Sequence, residues 1–412
     1  MRYRHRVLTL LATLSVITYL DRVCISVAGP RIQNELHLSP QDWGLVTGAF
    51  AIAYALFEIP GGYLGDRFGA RATLTRIVLW WSAFTTLTGF AFKLWPLIIF
   101  RFLFGAGEAG AYPTASTSVF RWFPEAERGR AFGVIFLSSQ LGGAIAPLLI
   151  VPIQVRFGWR MSFYLFGVLG VVWSAGWWRW YRNRPEEKTG VTDWELAEIG
   201  PPAVASAHVF PWKIIAANRS VWTIMGATFA FLYSYYFFLF WLPTYLLRAR
   251  GFSEAETQLS ALPFLLGALA NAAGGHARDA AVRRFGLKWG PRAVSVAGLV
   301  VASASVLAAW ISVNKYLALA WLALCYGGIT FQQPNTWAIC VDIGKRYAGA
   351  VAGCMNTAGS IGGIGSSLFI GYLVERTGNY DAVLLSMAGT LLLGAGLCLR
   401  TDATETLEST DS

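Results

Sequence analysis

Charge is what this sequence lacks. Only 14% of its 412 residues are Asp, Glu, Lys or Arg, against about 25% in an average soluble domain. Such scarcity excludes a solvated globular surface and a disordered chain. Cysteine is also rare. Cys24, Cys325, Cys340, Cys354 and Cys398 form no C-x-x-C pair, which excludes a disulfide scaffold and leaves small buried hydrophobes. With 4 histidines and 23 acids, no cluster has metal-ligand spacing, and no nucleophile–base set or phosphate loop is visible. Gly105-x-Gly107-x-x-Gly110 follows no strand, so it does not read as a dinucleotide loop. The chain reads as a non-enzyme without cofactor or metal. The formal charge of +10 would suit a nucleic-acid surface, but its distribution decides otherwise.

What is present is apolar: 55% of residues are hydrophobic, and they come in long blocks. A membrane span needs about 20 such residues. Twelve segments qualify: 7–28, 43–65, 73–92, 95–120, 130–153, 159–180, 220–247, 257–276, 292–312, 315–340, 347–373 and 380–400. The basic start, Met1 to Arg6, precedes an apolar run that holds Asp21-Arg22 and no small-residue cleavage site. It reads as a first span, not a signal peptide. The longest polar interval divides six spans from six. The expected organisation is a half over 1–181, a cytoplasmic linker over 182–218, a half over 219–400 and a disordered tail over 401–412. The fold class is an all-α membrane protein of twelve transmembrane helices in two pseudo-symmetric six-helix halves.

The basic residues set topology. With the N-terminus inside, 23 of the 33 Lys and Arg fall on inner segments and 8 on outer ones, while Arg22 and Arg101 lie within spans. This bias predicts cytoplasmic termini in a cell (inner) membrane. The lipid bilayer is the expected partner in place of a nucleic acid.

The halves also resemble each other. Pro113, the run Gly129-Arg130-Ala131-Phe132-Gly133 and Gly142-Gly143 recur as Pro334, Gly349-Ala350-Val351-Ala352-Gly353 and Gly362-Gly363, at an offset of 220 or 221. Gly62 and Asp66 recur as Gly275 and Asp279 at an offset of 213. A duplicated six-span unit is a transporter signature, with substrate handled near mid-bilayer.

Charges inside spans cost at least roughly 2.5–3.5 kcal/mol each and mark function. Asp21, Arg22, Arg101 and Glu108 stand in the first half, with Glu58 nearer one end. Arg22 or Arg101 suits a carboxylate clamp, because a guanidinium binds it bidentately and stays charged. The competing reading is a structural ion pair with Asp21 or Glu58. Glu108 and Asp21 are the proton-carrier candidates, since an anion on the arginine favours protonation of the neighbouring carboxyl. At the repeat offset Arg101 becomes Leu322 and Glu108 becomes Ile329, so proton handling belongs to the first half. The second half offers neutral groups: Tyr233, Tyr235, Tyr236, Asn271, Gln332, Gln333, Asn335 and Asn356. These suit a hydroxylated acid, whose OH groups each need a partner.

Gly62-Tyr63-Leu64-Gly65-Asp66-Arg67-Phe68-Gly69-Ala70-Arg71, between spans two and three, resembles the signature loop of the major facilitator superfamily. In that reading Gly62, Asp66, Arg67 and Arg71 form a conformational latch. Three stretches resemble the anion:cation symporter family within it: Tyr19-Leu20-Asp21-Arg22, Tyr54 with Ile59-Pro60-Gly61-Gly62, and Arg101-Phe102-Leu103-Phe104-Gly105 with Glu108-Ala109-Gly110 and Pro113. Glu58 departs from the glutamine commoner there. The resemblance implies the major facilitator fold, a monomer, and proton-coupled uptake of a small organic anion by rocker-switch alternating access. A sugar acid such as galactonate, glucarate or a hexuronate is the first expectation. It implies Asp21 and Glu108 as protonation sites, and Tyr19, Tyr54, Gln140 and Asn356 as polar pocket positions beside Arg22, Arg101 and Tyr235. A carrier of aromatic or other monocarboxylates is the alternative, and a multidrug/proton antiporter a more distant one, since two buried arginines repel cationic drugs. Sodium in place of protons stays open, as do stoichiometry and the identity of the anion.

Overall fold

A computed structural model gives the fold. It describes residues 2–199 and 212–407, apart from the side chains of Asp66, Glu125, Ala126, Trp212 and Arg346. Among these residues the regular structure is helical, with no strand. The helices are α1 (Tyr3–Glu35), α2 (Pro40–Phe68), α3 (Ala70–Thr88), α4 (Leu94–Glu108), α5 (Ala111–Trp122), α6 (Glu125–Phe157), α7 (Trp159–Trp180) and α8 (Asp193–Ile199). Then follow α9 (Trp212–Ala217), α10 (Arg219–Phe240), α11 (Leu242–Ala249), α12 (Ala261–Ile311), α13 (Lys315–Phe331), α14 (Gln333–Gly344), α15 (Ala348–Thr377) and α16 (Asp381–Arg400).

Nine helical stretches among the described residues are long and apolar enough to cross a membrane. The expected spans outside that tally have local causes. The span at 73–92 is α3, 19 residues that include Arg71 and Arg76. The spans at 257–276 and 292–312 fall on the single α12, on either side of Gly286, whose backbone turns at φ 73°.

Three expected spans are each built from two helices, and one of them, 315–340, split into α13 and α14, is also outside the nine. The breaks fall at Ala109–Gly110, at Trp241 and at Gln332. Each precedes a proline, Pro113, Pro243 or Pro334, which lacks an N–H and clashes with the carbonyl four residues back. Elsewhere side chains start the helices. Ser39 and Asp42 cap α2 reciprocally at 3.0 and 3.1 Å, and Asn314 Oδ1 accepts from the Tyr316 and Leu317 amides at the start of α13.

The chain forms two compact units. The first comprises Met1–Leu38 and Ala49–Ala207, the second Ser39–Gly48 and His208–Ser412. In the first, α1 packs on α6, and α3 on α7 and α4; in the second, α10 packs on α15, and α12 on α16 and α13. The repeat extends to individual contacts. A side chain at Gly142 would strike Val16 of α1, and one at Gly362 would strike Phe229 of α10. Likewise Gly61 lies against Gly110, and Gly274 against Phe331. Close helix approach explains these glycines. The Gly129/Gly133 and Gly349/Gly353 pairs have another basis, because nothing lies within 4 Å of the position a Cβ would occupy.

Each unit has an ionic clasp. In the first, α8 holds the start of α1: Glu195 accepts from the Tyr3 and Arg4 amides, and the buried Arg4 pairs with Glu198 (2.6 Å) and Glu127 (3.0 Å). In the second, the clasp is the segment after α16, where residues 401–407 depart from the expectation of a disordered tail. Asp402 meets Lys288 at 2.9 Å and Arg292 at 3.3 Å. Ala403 and Leu407 are buried among Ile215, Val221, Ile224, Ile343 and Val351. The apolar Leu407 and the paired Asp402 anchor a segment whose composition alone looked too polar to order. Residues 408–412 lie outside the described ones, as do 200–211 of the expected linker.

Candidate functional site

The four intramembrane charges expected from the sequence meet within the first unit. Asp21 and Arg22 sit on α1, Arg101 and Glu108 on α4, and all are at most 7% exposed. Arg22 Nε donates to Glu108 Oε1 at 2.7 Å. The pairing differs from the structural reading of Arg22 with Asp21 or Glu58: its partner is Glu108, the last residue of α4 before the break. The Arg22 guanidinium also lies 4.7 Å from the ring centre of Tyr54, 5.4 Å from Phe50 and 5.6 Å from Tyr19. Such rings attract a cation most strongly where it is desolvated.

Arg101 occupies different surroundings. Its guanidinium lies over Phe104 at 4.4 Å and Phe50 at 5.3 Å, and its Nε and Nη2 are buried without hydrogen-bond partners. Both oxygens of Asp21 are likewise buried, beside the Trp81 indole and without a hydrogen bond of good geometry among the described residues. Asp21 interacts electrostatically with Glu108 and Arg101. Buried polar atoms are satisfied almost everywhere in proteins, so a concentration of unpaired ones marks a place built for something other than stability.

The glycines bring these groups together. Gly105 of α4 lies against the Phe50 carbonyl, and Gly61 of α2 against Gly110. The signature-loop residues serve the same junction: Gly62 abuts Pro113 and Gly65 abuts Thr114. Arg71 donates to the Trp178 carbonyl at 2.9 and 2.7 Å and lies 4.3 Å from the Trp178 ring centre, while its amide donates to Asn183. Arg67 is exposed beside Phe68. The Asp66 side chain is outside the described residues.

Of the neutral candidates, Tyr19 and Tyr54 reach the charges through Arg22. Gln140 is buried on α6 beside Ser139, whose hydroxyl bonds the Tyr112 phenol at 2.7 Å. The second unit holds Tyr235 and Asn356. Tyr235 stacks on Tyr326 at 5.5 Å, and Asn356 is half-buried on α15. Several others are engaged in packing. Tyr233 bonds Ser386 at 2.8 Å, Asn271 bonds Gln333 at 3.0 Å, and Asn335 donates to Pro291 and Ser295.

With this geometry in place, comparison with known proteins identifies the family. The family model of the Major Facilitator Superfamily matches residues 11–367. The chain belongs to that superfamily. It is therefore a transporter, not an enzyme, and a multi-pass membrane protein. A probable sulfoacetate transporter of Cupriavidus necator is 34% identical over 99% of this chain and 96% of its own length. A hexuronate transporter of Bacillus subtilis is 32% identical over 93% and 91%. A D-galactonate transporter of Escherichia coli is 30% identical over 96% and 94%. Among solved structures, a bacterial homologue of the human lysosomal transporter Spinster, inward-facing and unoccupied, matches with a TM-score of 0.78 at 21% identity. It covers 98% of each chain.

Within this superfamily member, reading by residue type missed the groups around the charges. Phe50 and Phe104 beside the arginines, Trp81 beside Asp21 and Tyr112 acting on Arg22 read as ordinary span residues. The available signal was spacing: Phe50 stands four residues before Tyr54 and Phe104 three after Arg101, so each shares a helix face with a candidate.

Proposed function

We propose that the protein is a secondary active transporter that takes up a small organic anion together with protons, by alternating access. The observation that carries this reading is the buried Arg22–Glu108 pair at 2.7 Å, ringed by Tyr19, Phe50 and Tyr54. An arginine so placed recognises one acid group of the substrate, and its aromatic collar accepts the apolar face of a sugar or a short chain. An anion that takes the guanidinium leaves the Glu108 carboxylate buried without its counter-ion, and a proton neutralises that state. Asp21, buried beside the Trp81 indole with neither oxygen in a hydrogen bond of good geometry among the described residues, is the second proton site. Arg101 holds positive charge beside it.

Sugar acids are the first substrate class, in keeping with the hexuronate and galactonate transporters among the relatives. A sulfonated acid is a second reading, favoured by the 34% identical relative of that description. The basic-residue bias supports an inner-membrane protein with cytoplasmic termini, and we assign a monomer. The test is uptake into proteoliposomes with an inward proton gradient, using D-galactonate, D-glucuronate and sulfoacetate. At least one should accumulate, and a protonophore should abolish accumulation. Uptake indifferent to the gradient rejects symport, and uptake of none of the three rejects both substrate classes.

A further inference from the structure

A second place in the molecule has the chemistry of an anion site and lies apart from the charges of the first unit. It is a cavity of about 340 Å³ in the second unit, where α11, α12 and α15 end and α16 begins. That volume falls in the lower part of the range for small-molecule sites. Its walls include Tyr245, Arg248, Arg250, Trp310, Tyr380 and Asp381.

The wall residues divide into framework and donors. Arg250 is framework: it donates to the Tyr245 phenol at 2.5 Å and to the Ser312 and Ala309 carbonyls at 2.7 and 2.6 Å. Its charge thereby satisfies the carbonyl end of α12. Tyr245 is buried edge-on to Tyr380, with ring centres 5.4 Å apart. Tyr380 is 7% exposed and lines the cavity. A phenol is protonated at neutral pH, so the Tyr380 hydroxyl can donate. Arg248 is exposed on the cavity wall and acts electrostatically on Tyr380. Trp310 adds an apolar wall with an indole N–H. Asp381 supplies an acceptor of opposite sign at the rim.

We propose that this cavity binds small organic anions, with Arg248 and the Tyr380 hydroxyl holding the carboxylate or sulfonate and Asp381 receiving a hydroxyl of the ligand. For the identity of its ligand and for its outward position, the site rests on the transport reading above. There it raises the concentration of the anion at the entry side before transport.

The test is calorimetric titration of purified full-length protein with D-galactonate and with sulfoacetate, paired with uptake kinetics. A weak binding class should survive Arg22→Ala. Adding Arg248→Ala should weaken that class about tenfold, and adding Tyr380→Phe about threefold, as expected for one charged and one neutral hydrogen bond. With Arg22 intact, Arg248→Ala should raise KM several-fold and leave kcat and its proton dependence unchanged, and Arg248→Lys should restore part of the loss. A preference for sulfoacetate or D-galactonate at the weak class identifies which acid group it takes. Binding that vanishes with Arg22→Ala, or that ignores both Arg248→Ala and Tyr380→Phe, overturns the second site and leaves the transport reading standing. Binding lost only with Arg248→Ala, in protein that transports neither anion, supports the site and overturns the assignment of these anions as transported substrates. No binding of either anion to the parent protein overturns both.

Discussion

At the repeat offset of 221 residues, α4 carries Arg101 and Glu108 where α13 carries Leu322 and Ile329, all four buried. The packing pattern is shared: α1 and α10 are each crossed at a glycine, Gly142 against Val16 and Gly362 against Phe229. Among the described residues, the buried charges within transmembrane helices stand in the first unit, while the interior of the second is filled by aromatic contacts and amide–hydroxyl bonds. A duplicated scaffold has thus kept its close-packing positions and diverged in buried charge. The first unit bears the desolvation cost of ions, which structure alone would not retain.

The largest effects should follow from breaking that asymmetry at its centre. Arg22→Ala should abolish uptake and binding at the site in the first unit, and Arg22→Lys should not restore them, because an ammonium cannot reproduce the flat guanidinium on Tyr54. Glu108→Gln should lower proton-driven uptake by roughly 100-fold or more while keeping anion counterflow. The readout is the ratio of the two fluxes in the same proteoliposomes. Equal loss of both fluxes would make Glu108 a structural partner of Arg22 and would remove the coupling role assigned to it.

Next in size are the glycines. Gly110→Val puts a side chain into the backbone of Gly61, whose atoms lie 2.8–3.1 Å from the position of its Cβ, and should cost about 1–3 kcal/mol or more. Gly133→Ala and Gly353→Ala meet nothing within 4 Å and should stabilise their helices by about 0.5–1 kcal/mol. Thermal unfolding in detergent separates the two groups. A Gly110→Val protein as stable as the parent would show that the α2–α5 contact is not a tight one.

A smaller effect belongs to the neutral half. Tyr235→Phe keeps the stacking on Tyr326 and removes one hydroxyl. If that hydroxyl meets a polyhydroxylated substrate, KM should rise roughly three- to tenfold, the worth of one neutral hydrogen bond, with proton dependence unchanged. An altered pH profile instead would place part of the coupling in the second unit.

How much of this was legible in the sequence depended on what kind of fact was sought. The charges were legible because Asp21, Arg22, Arg101 and Glu108 are conspicuous in apolar runs. Their pairing was not, since Arg22 and Glu108 are 86 residues apart and no spacing rule links α1 to the end of α4. Helix breaks were half-legible: Pro113, Pro243 and Pro334 stood in the sequence, but each was read as lying within a continuous span. The repeat was legible as a list of glycines, though only the fold separates packing glycines such as Gly142 from those facing open space such as Gly133. The order of the segment after Arg400 was hidden, because its anchors Lys288, Arg292 and Ser220 are distant in sequence.

That segment supplies the mildest contrast between the units. Burial works against the Asp402 charge, yet hydrogen bonds from Thr404 and Lys288 hold its carboxyl down to about 2, below the ordinary value near 3.9. A carboxyl depressed in the folded state stabilises it above the unfolded pKa. The contribution is lost as pH falls from about 4 towards 2, since protons then bind the unfolded chain first. With allowance for solvent screening it amounts to about 1 kcal/mol. Asp402→Asn should therefore lower the unfolding temperature at pH 7 by about 1–2 °C, and the gap between parent and variant should narrow below pH 4 and close only below about pH 2. Proton-driven uptake should be unchanged, because Asp402 belongs to the clasp of the second unit and not to the charges of the first. A gap of the same size at both ends of that range would mean that Ala403 and Leu407 hold the segment through apolar burial alone.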